Sequence, residues 1–157
     1  MPSDTRYPSQ DAGAAGRAPL RLGLKILIAD DNRDAADTCA TLLELSGHHV
    51  QIAYSSRGAL QLAETFRPHA LLLDIGLPDM SGYELAERIR AAVWGKSAVL
   101  VAVTGFGQEE DRTRAFAAGF DHHLTKPVTG AALVALIESV SDVLSMVDPG
   151  DMSDEGN

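Results

Sequence analysis

Five separated side chains could do chemistry together if the fold gathered them: the acids Asp30, Asp31 and Asp74, the hydroxyl of Thr104 and the ammonium of Lys126. Three carboxylates held close together repel one another, and without a counter-ion at least one of them should have its pKa raised. A divalent cation removes that penalty. An all-oxygen set of carboxylates, a backbone carbonyl and water suits Mg²⁺, which keeps several waters and commonly bridges carboxylates to a phosphoryl group. Beside such an ion Asp74 can act as a carboxylate nucleophile toward an activated phosphorus, forming an aspartyl phosphate. Lys126, Thr104 and free backbone N–H groups would then stabilise charge on the equatorial oxygens of an in-line transfer.

The elements that must position these residues are legible in the apolar pattern. Ala70 to Asp74 reads Ala-Leu-Leu-Leu-Asp, an apolar run of the kind buried on both faces in a parallel sheet, and Gly76, Pro78, Asp79 and Gly82 after it are loop punctuation. Lys25 to Ala29 is a first strand ending abruptly in Asp30-Asp31-Asn32. From Arg33 to Ser46 apolar residues recur at helical spacing (Ala36, Cys39, Leu42, Leu43, Leu45), and Gly47 is placed to terminate that helix. His49 to Ala53 is the second strand, after which Ser55 and Ser56 open a helix that runs through Phe66 and stops before Pro68. Following the third strand at Ala70, Gly82 to about Ala92 presents Tyr83, Leu85, Ala86, Ile89 and Val93 as one apolar face, with Trp94 closing its end. Ser97 to Val103 is a fourth strand ending in Thr104-Gly105, where Gly105 permits close backbone approach. A polar-faced helix over Glu109 to Ala118 turns Phe116 inward and stops at Gly119; Asp121 to Thr125 is a fifth strand ending in Lys126-Pro127, and Ala131 to Met146 the final helix.

Five strands alternating with five helices predict a three-layer, doubly wound (βα)5 fold of the flavodoxin-like kind, since each right-handed crossover lays the next strand parallel to the last. In the strand order 2-1-3-4-5 the first and third strands flank the point where the winding reverses. Their exit carboxylates would then meet in one crevice, with Thr104 and Lys126 lining its other side. Residues 1 to 23, rich in Pro, Gly, Ala and Ser, read as a flexible leader, 24 to 147 as the folded domain, and 148 to 157 as a disordered acidic tail.

Composition narrows the partners. A net charge of −9 over 157 residues, with no basic cluster, argues against binding nucleic acid or an anionic membrane directly. No apolar segment is long enough to span a bilayer and no signal-peptide core is visible, so the expected location is cytoplasmic. The lone Cys39 falls in a helical apolar pattern and reads as a buried small hydrophobe. His48, His49, His69, His122 and His123 lack the paired spacing of a zinc site and read as surface histidines.

The set Asp30-Asp31, Asp74, Thr104-Gly105 and Lys126-Pro127, with the run Leu-Leu-Leu-Asp-Ile-Gly-Leu-Pro-Asp-Met-Ser-Gly-Tyr-Glu-Leu, resembles the receiver domain of two-component response regulators over roughly residues 24 to 147. The stretches from Thr104 to Asp111 and from Gly119 to Val128 look most like receivers attached to hybrid histidine kinases, or stand-alone receivers related to them. The resemblance implies a phosphorylation switch fed by a histidine kinase or a histidine phosphotransfer domain and read by a downstream protein. It makes Asp74 the phosphoacceptor. It implies Mg²⁺ ligation by Asp31, Asp74 and the carbonyl of Gly76, with Asp30 acting through metal-bound water. Lys126 would pair with Asp74 and later with the phosphoryl group, Thr104 would close onto that group, and Pro127 is the candidate for a cis peptide bond. Such a chain promotes its own phosphorylation and is no turnover enzyme on a separate substrate. Dimerisation through the fourth helix, fifth strand and last helix is common in the family and compatible with this chain.

Two positions depart from the commonest pattern. His123 stands where an aromatic Tyr or Phe usually turns inward, and its burial would favour the neutral imidazole, making the switch sensitive to pH near about 6 to 7. Gly76 leaves the phosphoryl group open to water or a partner, an exposure that Phe106, two residues beyond Thr104, is placed to offset. A phosphohydrolase of the haloacid-dehalogenase type would need an acid at Gly76, and a flavodoxin-type cofactor site would want a Ser/Thr/Gly phosphate loop where Asp30-Asp31-Asn32 stands. A degenerate receiver used only for docking is disfavoured by the intact set of five residues.

Overall fold

The computed structural model describes residues 23–105 and 109–145, so Phe106 and, apart from Gly23, the leader and acidic tail expected at the two ends lie outside the described residues. Leu24–Leu136 forms one compact unit, and Ile137–Ser145 with Gly23 is the described part of a second. The elements in chain order are β1 (Lys25–Ala29), α1 (Arg33–Leu45), β2 (His49–Ala53), α2 (Ser56–Phe66), β3 (Ala70–Asp74), α3 (Gly82–Ala91), a short 3₁₀ turn (Val93–Gly95), β4 (Val99–Thr104), α4 (Glu109–Ala118), β5 (His122–Thr125) and α5 (Gly130–Ser145).

The five strands form one parallel sheet in the order β2-β1-β3-β4-β5, the three-layer doubly wound arrangement that the alternation of elements predicts. Alternation along each strand divides the apolar residues between two faces. Leu27, Leu71, Leu73 and Leu100 pack with α2, α3 and α4, whose contributions include Ala59, Ala63, Leu85 and Ile89. The alternate residues Ile28, Leu72 and Val103 face the other way, toward Ala36 and Cys39 of α1 and Leu133 in the opening turns of α5. All five residues of β3 are buried, as a central strand covered on both sides requires.

Local sequence explains the boundaries. Asn32, Ser55 and Ser81 cap α1, α2 and α3 by accepting from the backbone N–H of Ala35, Gly58 and Glu84 at 3.1, 3.0 and 3.2 Å. Gly47 and Gly119 stop α1 and α4 with φ of +99° and +115°, a region that costs a side chain dearly.

Four expectations need correction. Val93 does not continue the apolar face of α3: Ala92 turns extended and ends the helix, and Gly95 packs so closely on the Ile89 carbonyl that the intervening 3₁₀ turn throws Val93 out to 86 % exposure. Phe116 is 56 % exposed, because Ala115 and Ala118 set the buried stripe of α4 and place Phe116 about a quarter-turn away from it. Cys39 is only half-buried, since Ala36, Ala40 and Leu43 define the inner face of α1. Not all the histidines are at the surface. His48 is buried and accepts at Nδ1 from the backbone N–H of Leu24 at 3.0 Å, while both ring nitrogens of His123 are buried without a hydrogen-bond partner.

Candidate functional site

β1 and β3 are neighbours in register, Ala29 beside Leu73, so the residues that leave each strand emerge side by side. Asp30, Asp31 and Asp74 consequently each offer a carboxylate oxygen, all within 4.8 Å of one another. Asp30 and Asp74 are buried and Asp31 is exposed. Asp30 is fixed by accepting at Oδ1 from the backbone N–H of Asn32 at 2.9 Å. Asp74 is fixed on both oxygens: Oδ1 accepts from the Gly76 backbone N–H and Oδ2 from the Lys126 ammonium, each at 2.9 Å.

Lys126 arrives from the far side of the crevice because β5 pairs with β4, and its backbone N–H donates to the Thr104 carbonyl at 2.7 Å. The peptide bond joining Lys126 to Pro127 is cis. Thr104 is buried at the end of β4. A Cβ added at Gly105 would meet no atom of the described residues within 4 Å, so among them that position faces open space. A cavity of about 700 Å³ connects the two sides, with Asp30, Asp74, Gly105, Lys126 and Pro127 in its wall.

The electrostatics follow from this crowding. Burial pushes the Asp30 carboxyl above the ordinary aspartate range, and the charges of Asp74 and Asp31 push the same way against the Asn32 hydrogen bond and Lys126. For Lys126, burial pulls downward, but the hydrogen bond and charge of Asp74, together with Asp30 and Asp31, outweigh it and its pKa stands above that of an ordinary lysine. Acid density stabilises the one ammonium; one ammonium does not neutralise three acids. That residual negative charge, on oxygen donors only, fits a hard divalent cation.

His123 does not line the cavity; it lies three residues before Lys126, beside Ala102 of β4. Burial lowers its pKa, Arg112 adds to the lowering and Asp111 opposes it. Gly76 is exposed, and a Cβ there would meet only Asp74 Oδ1 at 3.7 Å, an ordinary contact. Sequence reasoning missed Asp79 and Ser56, which tie the loop after Asp74 to α2. An acid among turn residues carries no signal of a tie to a helix 22 residues earlier.

Fold and site together define a doubly wound α/β protein whose candidate crevice opens at the carboxyl ends of the neighbouring strands β1 and β3. The family model of the response regulator receiver domain matches residues 26–138, and the chain belongs to that family. It is 36 % identical over 115 residues to an uncharacterized 14.6 kDa protein of Leptolyngbya boryana, covering 73 % of this chain and 88 % of that protein. It is 31 % identical over 130 residues to the phosphate regulon transcriptional regulatory protein PhoB of Pseudomonas aeruginosa, covering 83 % of this chain and 56 % of that protein. The chain thus spans only about half the length of that transcriptional regulator. Among solved structures, a CheY-like response regulator receiver domain protein from Methanospirillum hungatei superposes with a TM-score of 0.71 at 32 % identity, covering 77 % of this chain and 94 % of that one. The class of activity is therefore phosphorylation-dependent signalling in a two-component system. No helix among the described residues is long and apolar enough to cross a membrane.

Proposed function

We propose that residues 24 to 147 form a receiver that accepts a phosphoryl group on Asp74 from a phosphohistidine of a histidine kinase or a histidine phosphotransfer domain. The phosphorylated domain then presents an altered surface to a downstream protein. The single observation that carries this reading is the contact of Lys126 Nζ with Asp74 Oδ2 at 2.9 Å inside a cluster whose other members, Asp30 and Asp31, leave a net negative charge.

In the transfer, an Asp74 carboxylate oxygen attacks phosphorus while the bond from phosphorus to the donor's imidazole nitrogen breaks, its electron pair leaving with the imidazole. Asp31, Asp74 and the Gly76 carbonyl would hold Mg²⁺, with Asp30 reaching it through water. When bound, the ion supplies positive charge that offsets the acids and the incoming phosphoryl oxygens. Lys126 gives up its ion pair with Asp74 and turns the same ammonium toward a phosphoryl oxygen. Thr104 offers its hydroxyl to another, a movement that links the crevice to the end of β4 and from there to the surface read by the partner. His123, one strand further out, is the side chain we assign to follow that movement. The chain acts in the cytoplasm and turns over no separate substrate.

Incubation with Mg²⁺ and a small acyl phosphate, followed by intact-mass measurement, tests the reading. One labile phosphoryl group, released by alkali and by hydroxylamine, that disappears in Asp74→Asn is the expected result; an unmodified wild-type chain, or modification that survives in the variant, would overturn it.

A further inference from the structure

The loop that follows Asp74 is fastened to a helix that carries none of the candidate residues. Asp79 is exposed, yet its Oδ1 accepts from the Ser56 backbone N–H at 3.0 Å and its Oδ2 from that of Arg57 at 2.9 Å. These N–H groups open α2 and have no carbonyl of their own helix within reach. The helix's own cap, Ser55, serves a different group, the N–H of Gly58. A second tie lies underneath: the fully buried Ser56 donates its hydroxyl to the Met80 carbonyl at 2.6 Å. Both hydrogen bonds to Arg57 and Ser56 hold the Asp79 carboxyl below the usual range, so the ties stay charged across neutral pH.

Between Asp74 and Asp79 stand only Ile75, Gly76, Leu77 and Pro78. Ile75 donates its N–H to the Val103 carbonyl at 3.0 Å, Gly76 donates to Asp74, and Leu77 is buried in the core. The short span bearing the Gly76 carbonyl is therefore pinned to the sheet at its start and to α2 at its end. We propose that Asp79 is a positioning residue: by clamping the loop to the first turn of α2, it holds the Gly76 backbone where a metal can use it. The inference deepens the phosphoacceptor reading and rests on it. A carbonyl ligand on a loose loop must be ordered at the moment of binding, whereas here that order is already built in.

Titration of the full chain with MgCl2 alone by calorimetry, beside urea unfolding of the same variants without metal, separates a positioning role from a merely structural one. Asp79→Ala should weaken Mg²⁺ binding about tenfold, the lower end of what residues acting through a ligand contribute. Asp79→Asn, which keeps one acceptor oxygen, should recover part of that loss. Ser55→Ala removes a cap from the same turn without touching the loop, and should lower the urea midpoint while leaving Mg²⁺ affinity unchanged. Unaltered Mg²⁺ affinity in Asp79→Ala, or an equal loss in Ser55→Ala, overturns the clamp while the phosphoacceptor reading stands. A wild-type chain that does not bind Mg²⁺ overturns both.

Discussion

Asp30 is held in an unfavourable place. It is buried beside two other acids, and its carboxyl is pushed toward the protonated form by burial first and by Asp74 and Asp31 after that. The sign of the linkage is fixed: a folded pKa above the unfolded one contributes stability below the unfolded value and loses it as pH rises through the folded value. At neutral pH the ionised Asp30 is thus a cost to the metal-free fold. Asp30→Asn keeps the Oδ1 that accepts from Asn32 and removes the charge. We expect it to raise metal-free stability by about 0.5–2 kcal/mol, the usual gain when a functional residue is relaxed, and to blunt the stabilisation that added Mg²⁺ gives the wild type. Urea unfolding with and without MgCl2 checks both halves; a loss of metal-free stability would show that the acid is structural.

Among the elements, the β3–α3 connection is the tightest piece of backbone near the site. A Cβ at Gly82 would stand 2.6 Å from Ile75 Cα and 3.0 Å from the Asp74 carbonyl oxygen, so Gly82→Ala must move the main chain on which Asp74 is carried. A destabilisation of about 1–3 kcal/mol is expected, with acyl-phosphate labelling of Asp74 falling further than the stability loss alone accounts for; a fully labelled variant would contradict it. The chain announces this architecture well at β1, β2 and β3, whose ends coincide with the apolar runs at Ala29, Ala53 and Asp74. A switch from strand to turn chemistry is a local property that residue types carry. Phe116 and Val93 depart from the apolar pattern because a short helix leaves its inward face to be decided by neighbours: small Ala115 and Ala118 allow close approach to the sheet, and Gly95 on the Ile89 carbonyl redirects the turn. Arg90 was equally hidden. Its guanidinium donates to the carbonyls of Gly119, Gly95 and Ala98 and pairs with Asp121, joining segments up to 31 residues apart that no local pattern relates.

Over the whole molecule, acid should act through histidines before it reaches most carboxylates. Burial first, then Lys25, lowers the pKa of His69; burial first, then Arg112 against Asp111, lowers that of His123. A histidine with a depressed folded pKa contributes stability above the unfolded value of 6.5, and that contribution shrinks as pH falls through 6.5 toward the folded value. Thermal stability should therefore fall from pH 7.5 to 5.5, and a doubly substituted His69→Gln, His123→Phe chain should lose much of that slope; an unchanged slope would assign it elsewhere. The gathering of Asp30, Asp31, Asp74 and Lys126 could be anticipated from strand order, but the imidazoles' surroundings could not, since they depend on which backbone groups lie across the sheet. At the start of β1, His48 and His69 take the N–H groups of Leu24 and Lys25 on Nδ1, at 3.0 and 2.9 Å. Each nitrogen can do so only while it carries no proton. Acid that protonates His69 should accordingly loosen β1 from its edge remote from Asp74, and the protection of the Lys25 amide from deuteration, taken relative to its intrinsic rate, should fall before that of Ile28 and Ala29.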